Sequence, residues 1–126
     1  SLNKAAGEIS EEKIAQYAGE AKFFRASFYL YLINAFGDVP FYKDYVREVG
    51  DLEKVATLPR MSADKTRKAL CDELLEIAPK MAQIPTSQEK DFRCGAAMAW
   101  MLIAKMSMWN KDWQTALEAL KKLEAI

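Results

Sequence analysis

Few residues of this 126-residue chain could carry chemistry, and a missing residue type narrows them further. There is no histidine, so triads, zinc sites and proton transfers that use an imidazole have no residue to act through. Cys71 and Cys94 thus lack the base that would activate a thiol nucleophile. Asp72, Glu73 and Glu76 crowd one predicted helix, where their spacing reads as a solvated face, not a catalytic pair. No glycine-rich loop leads into a helix, so no phosphate cradle is expected. No catalytic residue, metal site or cofactor is expected anywhere. What remains is binding. Phe41, Tyr42 and Tyr45 fall on a segment without helical period and could present an aromatic platform to a ligand. The favoured alternative is that these rings pack back on the preceding helix and close its apolar half. Trp109 and Trp113 flank a turn, where wedging between helices is favoured over stacking on a ligand. Met98, Met101, Met106 and Met108 could line a promiscuous groove, but their helical spacing among alanines favours core filling. Glu20 and Arg25 are expected to pair with other helices or to cap loop carbonyls.

The elements that must position these residues are helices. Ser10 before Glu11 and Glu12 is a helix start, a hydroxyl for an orphan amide and carboxylates for the positive end of the dipole. Ile14, Tyr17, Ala21, Phe24, Phe28, Tyr31 and Ala35 recur in steps of three and four, a helical stripe. From 26 to 36 the helix is apolar nearly all round, which predicts burial against more than one neighbour. Gly37 and Pro40 stop it. Residues 38–61 have no sustained period, apart from a short helical turn near 51–56. A connection this long is often functional or packed across a surface.

Ser62 caps a second helix with the stripe Leu70, Leu74, Ile77 and Met81, widened by Leu75 and Ala78. Residues 83–89 read as a linker. A third helix is predicted over 91–109, its small residues Gly95, Ala96, Ala97 and Ala99 admitting a close neighbour while Trp100, Met101 and Leu102 fill the space around them. Asn110 and Lys111 form a turn. The fourth helix, over 112–125, places Trp113, Ala116, Leu117, Leu120 and Leu123 on one side and Gln114, Glu118, Lys121 and Lys122 on the other. No strand-like alternation competes, so the fold class is all-α with about four main helices.

Composition agrees with a folded chain, 51% hydrophobic and 29% charged. Lysine plus arginine and aspartate plus glutamate balance at 18 each, which gives no support to a nucleic-acid partner. The longest apolar run, 28–33, is far too short to cross a bilayer, and the first residues lack the pattern of an export signal. Cys71 and Cys94 lie on different helices and are expected as free thiols, because disulfide geometry is narrow.

The last two helices have the layout of a tetratricopeptide hairpin: small residues, a tight turn, an aromatic beside it and an alanine after it. One such hairpin cannot bury both faces, so hairpins of this kind stack into an α–α superhelix. No clean repeat at a fixed period links the two halves of the chain. The order of motifs along the chain is similar to that of the SusD/RagB family of outer-membrane nutrient-binding lipoproteins. The E-A-x-F-x-R-A pattern at 20–26 leads to F-G-D-V-P at 36–40; Arg60 and Ser62, the G-A-A helix from Gly95 and the turn with Asp112 and Trp113 follow. The resemblance runs from about residue 14 to 125. It departs at Ser107, where the family often has an aromatic, and at Lys105, where arginine is common.

The resemblance implies one helical domain over 1–126 that is a fragment of a longer protein, with the export signal and lipidated cysteine upstream. It implies no enzyme but a surface-exposed outer-membrane lipoprotein that captures an oligosaccharide or peptide and passes it to a TonB-dependent transporter. Most ligand contacts would then come from loops outside this segment. Two other readings stand beside it: a self-contained tetratricopeptide-like module that binds a partner protein, and a small helical enzyme, which the residue inventory disfavours.

Overall fold

A computed structural model describes residues 7, 9–44, 46–82 and 93–126. Its elements are α1 (Glu11–Phe36), α2 (Val49–Ala56), α3 (Ala63–Ile77), α4 (Ala96–Trp109) and α5 (Trp113–Glu124), with a 3-10 turn at Ala78–Lys80 after α3. Three starts are capped as their residue types dictate. The Ser10 hydroxyl accepts from the Lys13 amide at 3.4 Å, Ser62 from Lys65 at 3.3 Å, and the Asp112 carboxylate from Thr115 at 3.2 Å. At the other end of α1, Gly37 takes φ 73° and returns its amide to the Ile33 carbonyl at 2.8 Å. A side chain would be strained at that angle.

Cross-helix partners give the topology. Gln16 accepts from the Ala82 amide, Arg25 meets Glu73, and Asp38 accepts from the Ala63 amide, so α1 and α3 run antiparallel. Arg67 meets Asn110 and Cys71 meets Ser107, which sets α3 antiparallel to α4. The chain then reverses through Asn110, Lys111 and Asp112, with Lys111 at φ 59°, and α5 packs back along α4. Two antiparallel hairpins, α1 with α3 and α4 with α5, are stacked through α3 and α4. The fold is all-α in the tetratricopeptide manner, as expected. The long connection between α1 and α3 is pinched at its base, where the Met61 amide donates to the Val39 carbonyl at 2.9 Å.

The core runs along the contacts of α3 with α1 and α4 and on into the contact of α4 with α5. Leu70, Leu74, Ile103 and Met106 are fully buried, with Ala26, Ala99 and Ala104 as the small residues that let the helices approach. Gly19 serves α1 the same way: a Cβ there would stand 2.5 Å from the Met81 sulfur.

Several expectations about faces need correcting. On α1 the buried positions are Gly19, Ala26, Leu30 and Ile33, whereas Phe24, Phe28, Tyr31 and Phe36 of the aromatic stripe and its continuation are exposed. Helix α3 covers only one side of α1, and small residues fit that contact better than rings. The face of α5 turned to α4 is likewise Ala116 and Ala119, leaving Trp113, Leu117 and Leu120 outward. Of the four methionines of α4 only Met106 fills the core; Met98, Met101 and Met108 are exposed. Trp109 and Trp113 are both more than half exposed, so neither is a wedge; Trp109 instead lies under the Arg67 guanidinium, 6.0 Å from it.

Helix α4 starts at Ala96, because Gly95 is extended and the Ala96 amide is taken by the Ala82 carbonyl at 2.8 Å. Residues 91 and 92, the linker predicted over 83–89 and Tyr45 lie outside the described residues. With this much apolar surface outward on α1 and α5, the isolated chain is expected to self-associate as its concentration rises. Sedimentation would check this. A monomer persisting at high concentration would show the faces too scattered to act as a patch.

Candidate functional site

The connection between α1 and α3 holds the predicted aromatic candidates, and the structure separates them. Phe41 turns inward against the core and meets the Tyr29 ring edge-on, with centroids 4.9 Å apart. For this ring the packing reading is the one observed. Tyr42, the next residue, is exposed and lines a hollow of about 490 Å³.

Polar and apolar groups share this hollow. Asp44, Arg47, Asp51 and Lys54 contribute charge of both signs, while Val55 and Leu58 from the α2 region line the apolar part. Asp51 also accepts the Arg47 amide at 3.2 Å, which anchors the start of α2. Beyond Tyr42 and Val55, which line both, a second and more apolar hollow of about 690 Å³ opens toward Phe24, Phe28, Leu32 and Pro40. The Phe24 and Phe28 rings are stacked there, 6.5 Å apart at 28°.

Ion pairs hold this side of the molecule. Arg25 donates twice to Glu73, at 2.8 and 2.9 Å, and Lys43 reaches the same carboxylate at 3.1 Å while standing 5.9 Å above the Phe41 ring. Glu73 is therefore no member of a solvated acidic face; it ties α1, α3 and the connection together. Glu20 accepts two hydrogen bonds from Arg93, both at 2.8 Å. The Arg93 hydrogen bond holds the Glu20 carboxyl below the usual carboxylate range. Arg25 pairs with another helix as expected, whereas Glu20 pairs with Arg93 of the segment that leads into α4 and with Gln16 of its own helix, neither another helix nor a loop carbonyl.

Neither thiol is poised to react. Cys71 and Cys94 are free and buried, and burial pushes the first above the ordinary thiol value and the second to about 11. The Ser107 hydroxyl sits 3.5 Å from the Cys71 sulfur, buried between α3 and α4. Among the described residues no group of three or more His, Cys, Asp or Glu could hold a metal, and no helix is long and apolar enough to cross a membrane. The arrangement suits a ligand that offers an apolar face to Tyr42 and hydrogen-bonding groups to the charged side chains. Asp44, Arg47, Asp51 and Lys54 could not be singled out from the sequence, since only their place on the long connection marks them.

No family model matches the chain. A SusD-like protein of Formosa agariphila is 29% identical over 112 residues, which cover 86% of this chain and 20% of that protein. A SusD-like carbohydrate-binding protein of Bacteroides fragilis superposes with a TM-score of 0.77 at 22% identity, covering 93% of this chain and 22% of that one. Surface glycan-binding protein A of Bacteroides uniformis gives 0.75 at 27% identity, with 97% and 27% covered. The chain thus spans about one fifth of the length of the curated relative it matches.

Proposed function

We propose, from its similarity to SusD-like proteins in sequence and fold, that this chain is the helical scaffold of a glycan-binding protein. In this reading residues 1–126 form one helical domain of a longer surface-exposed outer-membrane lipoprotein. The protein captures an oligosaccharide without transforming it and passes it to a TonB-dependent transporter. Tyr42 and the charged hollow beside it supply part of the ligand contact. The observation that carries the site is the outward turn of Tyr42 over Asp44, Arg47, Asp51 and Lys54 while Phe41 is spent on packing. Sugar rings present C–H faces to an aromatic and hydroxyls to such side chains.

Screening the purified chain on an oligosaccharide array tests the reading. Tyr42→Ala should weaken binding of a retained sugar about 10-fold, as expected for losing one stacked ring. Binding that is indifferent to Tyr42 would remove the hollow as the site. A second reading draws on a groove of about 450 Å³ lined by Phe23, Met98, Met101, Leu102 and Leu123, which suits an apolar peptide. Retention of amphipathic helical peptides with no sugar retained would favour this protein-interaction module and sink the glycan reading.

A further inference from the structure

We infer that Tyr29 is a positioning residue that sets the place of Tyr42, and through it the rim of the charged hollow. The importance of that rim rests on the glycan-binding reading above; the clamp itself does not. Tyr29 lies on α1, thirteen residues before Tyr42, and is not among the residues lining the charged hollow. Its hydroxyl donates to the Tyr42 carbonyl at 3.2 Å and accepts from the Tyr42 amide at 3.2 Å. One phenol thus satisfies both backbone groups of one residue. The ring below that hydroxyl is packed edge-on against Phe41 at 4.9 Å, so its aim is fixed by a partly buried contact.

Lys43 is held on the far side of Tyr42 by Glu73, itself fastened to Arg25 of α1. Three consecutive residues of the connection are therefore tied by different means: Phe41 by packing, Tyr42 by the Tyr29 hydroxyl, and Lys43 by an ion pair. Of these, the Tyr29 hydroxyl alone fixes the backbone of the residue whose side chain faces the hollow. A helix imposes its own rigidity on the group it carries, which makes α1 a firm base for an otherwise irregular segment.

The test is Tyr29→Phe, which keeps the ring on Phe41 and removes both hydrogen bonds. Amide hydrogen exchange of the full chain should quicken about 5- to 10-fold at Tyr42 and its neighbours, with the helices unchanged and the melting temperature within about 2 °C. Unchanged exchange at Tyr42 would overturn the inference. So would a uniform quickening in every helix with a lowered melting temperature, because that marks a general structural role. Tyr29→Ala, which also strips Phe41 of its partner, should lower the melting temperature and shows that the assay detects a structural loss.

On a retained oligosaccharide, Tyr29→Phe should reproduce part of the loss caused by Tyr42→Ala. If Tyr42→Ala weakens binding and Tyr29→Phe does not, the positioning role is overturned while the glycan site stands. If Tyr42→Ala changes nothing but exchange at Tyr42 quickens as expected, the clamp holds and the site reading fails.

Discussion

Replacing Leu74 with alanine should destabilise the chain by about 2–5 kcal/mol, the largest effect expected of a single substitution here. Leu74 is fully buried on α3, the helix that touches both α1 and α4, so the void cannot collapse from one side alone. For a chain of this length the melting temperature should fall by roughly 10 °C. Urea titration with an unchanged slope would show that the loss is one of stability and not of compactness. A shift below about 1 kcal/mol would mean that α3 does not sit at the centre of the stack.

The second large effect is expected from Ala26→Leu. Ala26 has no exposed surface and belongs to the main core cluster, where α1 approaches its neighbours through small side chains. Three added carbons must force side chains off their rotamers or move α1, at a cost of about 1–3 kcal/mol. Two positions further along, Phe28 is 69% exposed, so Phe28→Ala should change stability by less than about 0.5 kcal/mol. The contrast is counter-intuitive, since the smaller residue matters and the larger does not. Equal effects at the two positions would mean that α1 turns Phe28 as well as Ala26 toward a neighbour.

This contrast also shows where reading the sequence loses its grip. Periodicity finds a helical stripe but weighs large residues most, and on α1 it selected Phe24, Phe28 and Tyr31. The face that is buried is the one with Gly19 and Ala26, because close helix contact rewards small side chains. The same thing happens on α5, where Ala116 and Ala119 face α4 while Trp113 and Leu117 face outward. The exposed methionines of α4 follow from the same rule. An apolar residue says that burial is favourable; it does not say that a neighbour is there to provide it.

For the candidate site, the sequence pointed to a segment but could not sort its residues. Phe41 and Tyr42 are adjacent aromatics, and only the position of Tyr29 decides which turns inward. Glu73 looked like one carboxylate among several until Arg25 and Lys43 were brought to it from 48 and 30 residues away.

Local chemistry was legible at most helix ends, since caps, breaks and turns are settled by neighbours a few residues apart, the start of α4 excepted. Ser10, Ser62 and Asp112 begin helices because their own oxygens reach amides three residues on, and Gly37 ends one because it lacks a Cβ. The sequence by itself therefore determined the helices, their order, and the absence of imidazole chemistry. Tertiary structure alone decided which face of each helix is covered, which carboxylate becomes a cross-link and which loop aromatic meets solvent. Those outcomes depend on contacts between residues far apart in the chain, and such contacts leave no local period to read.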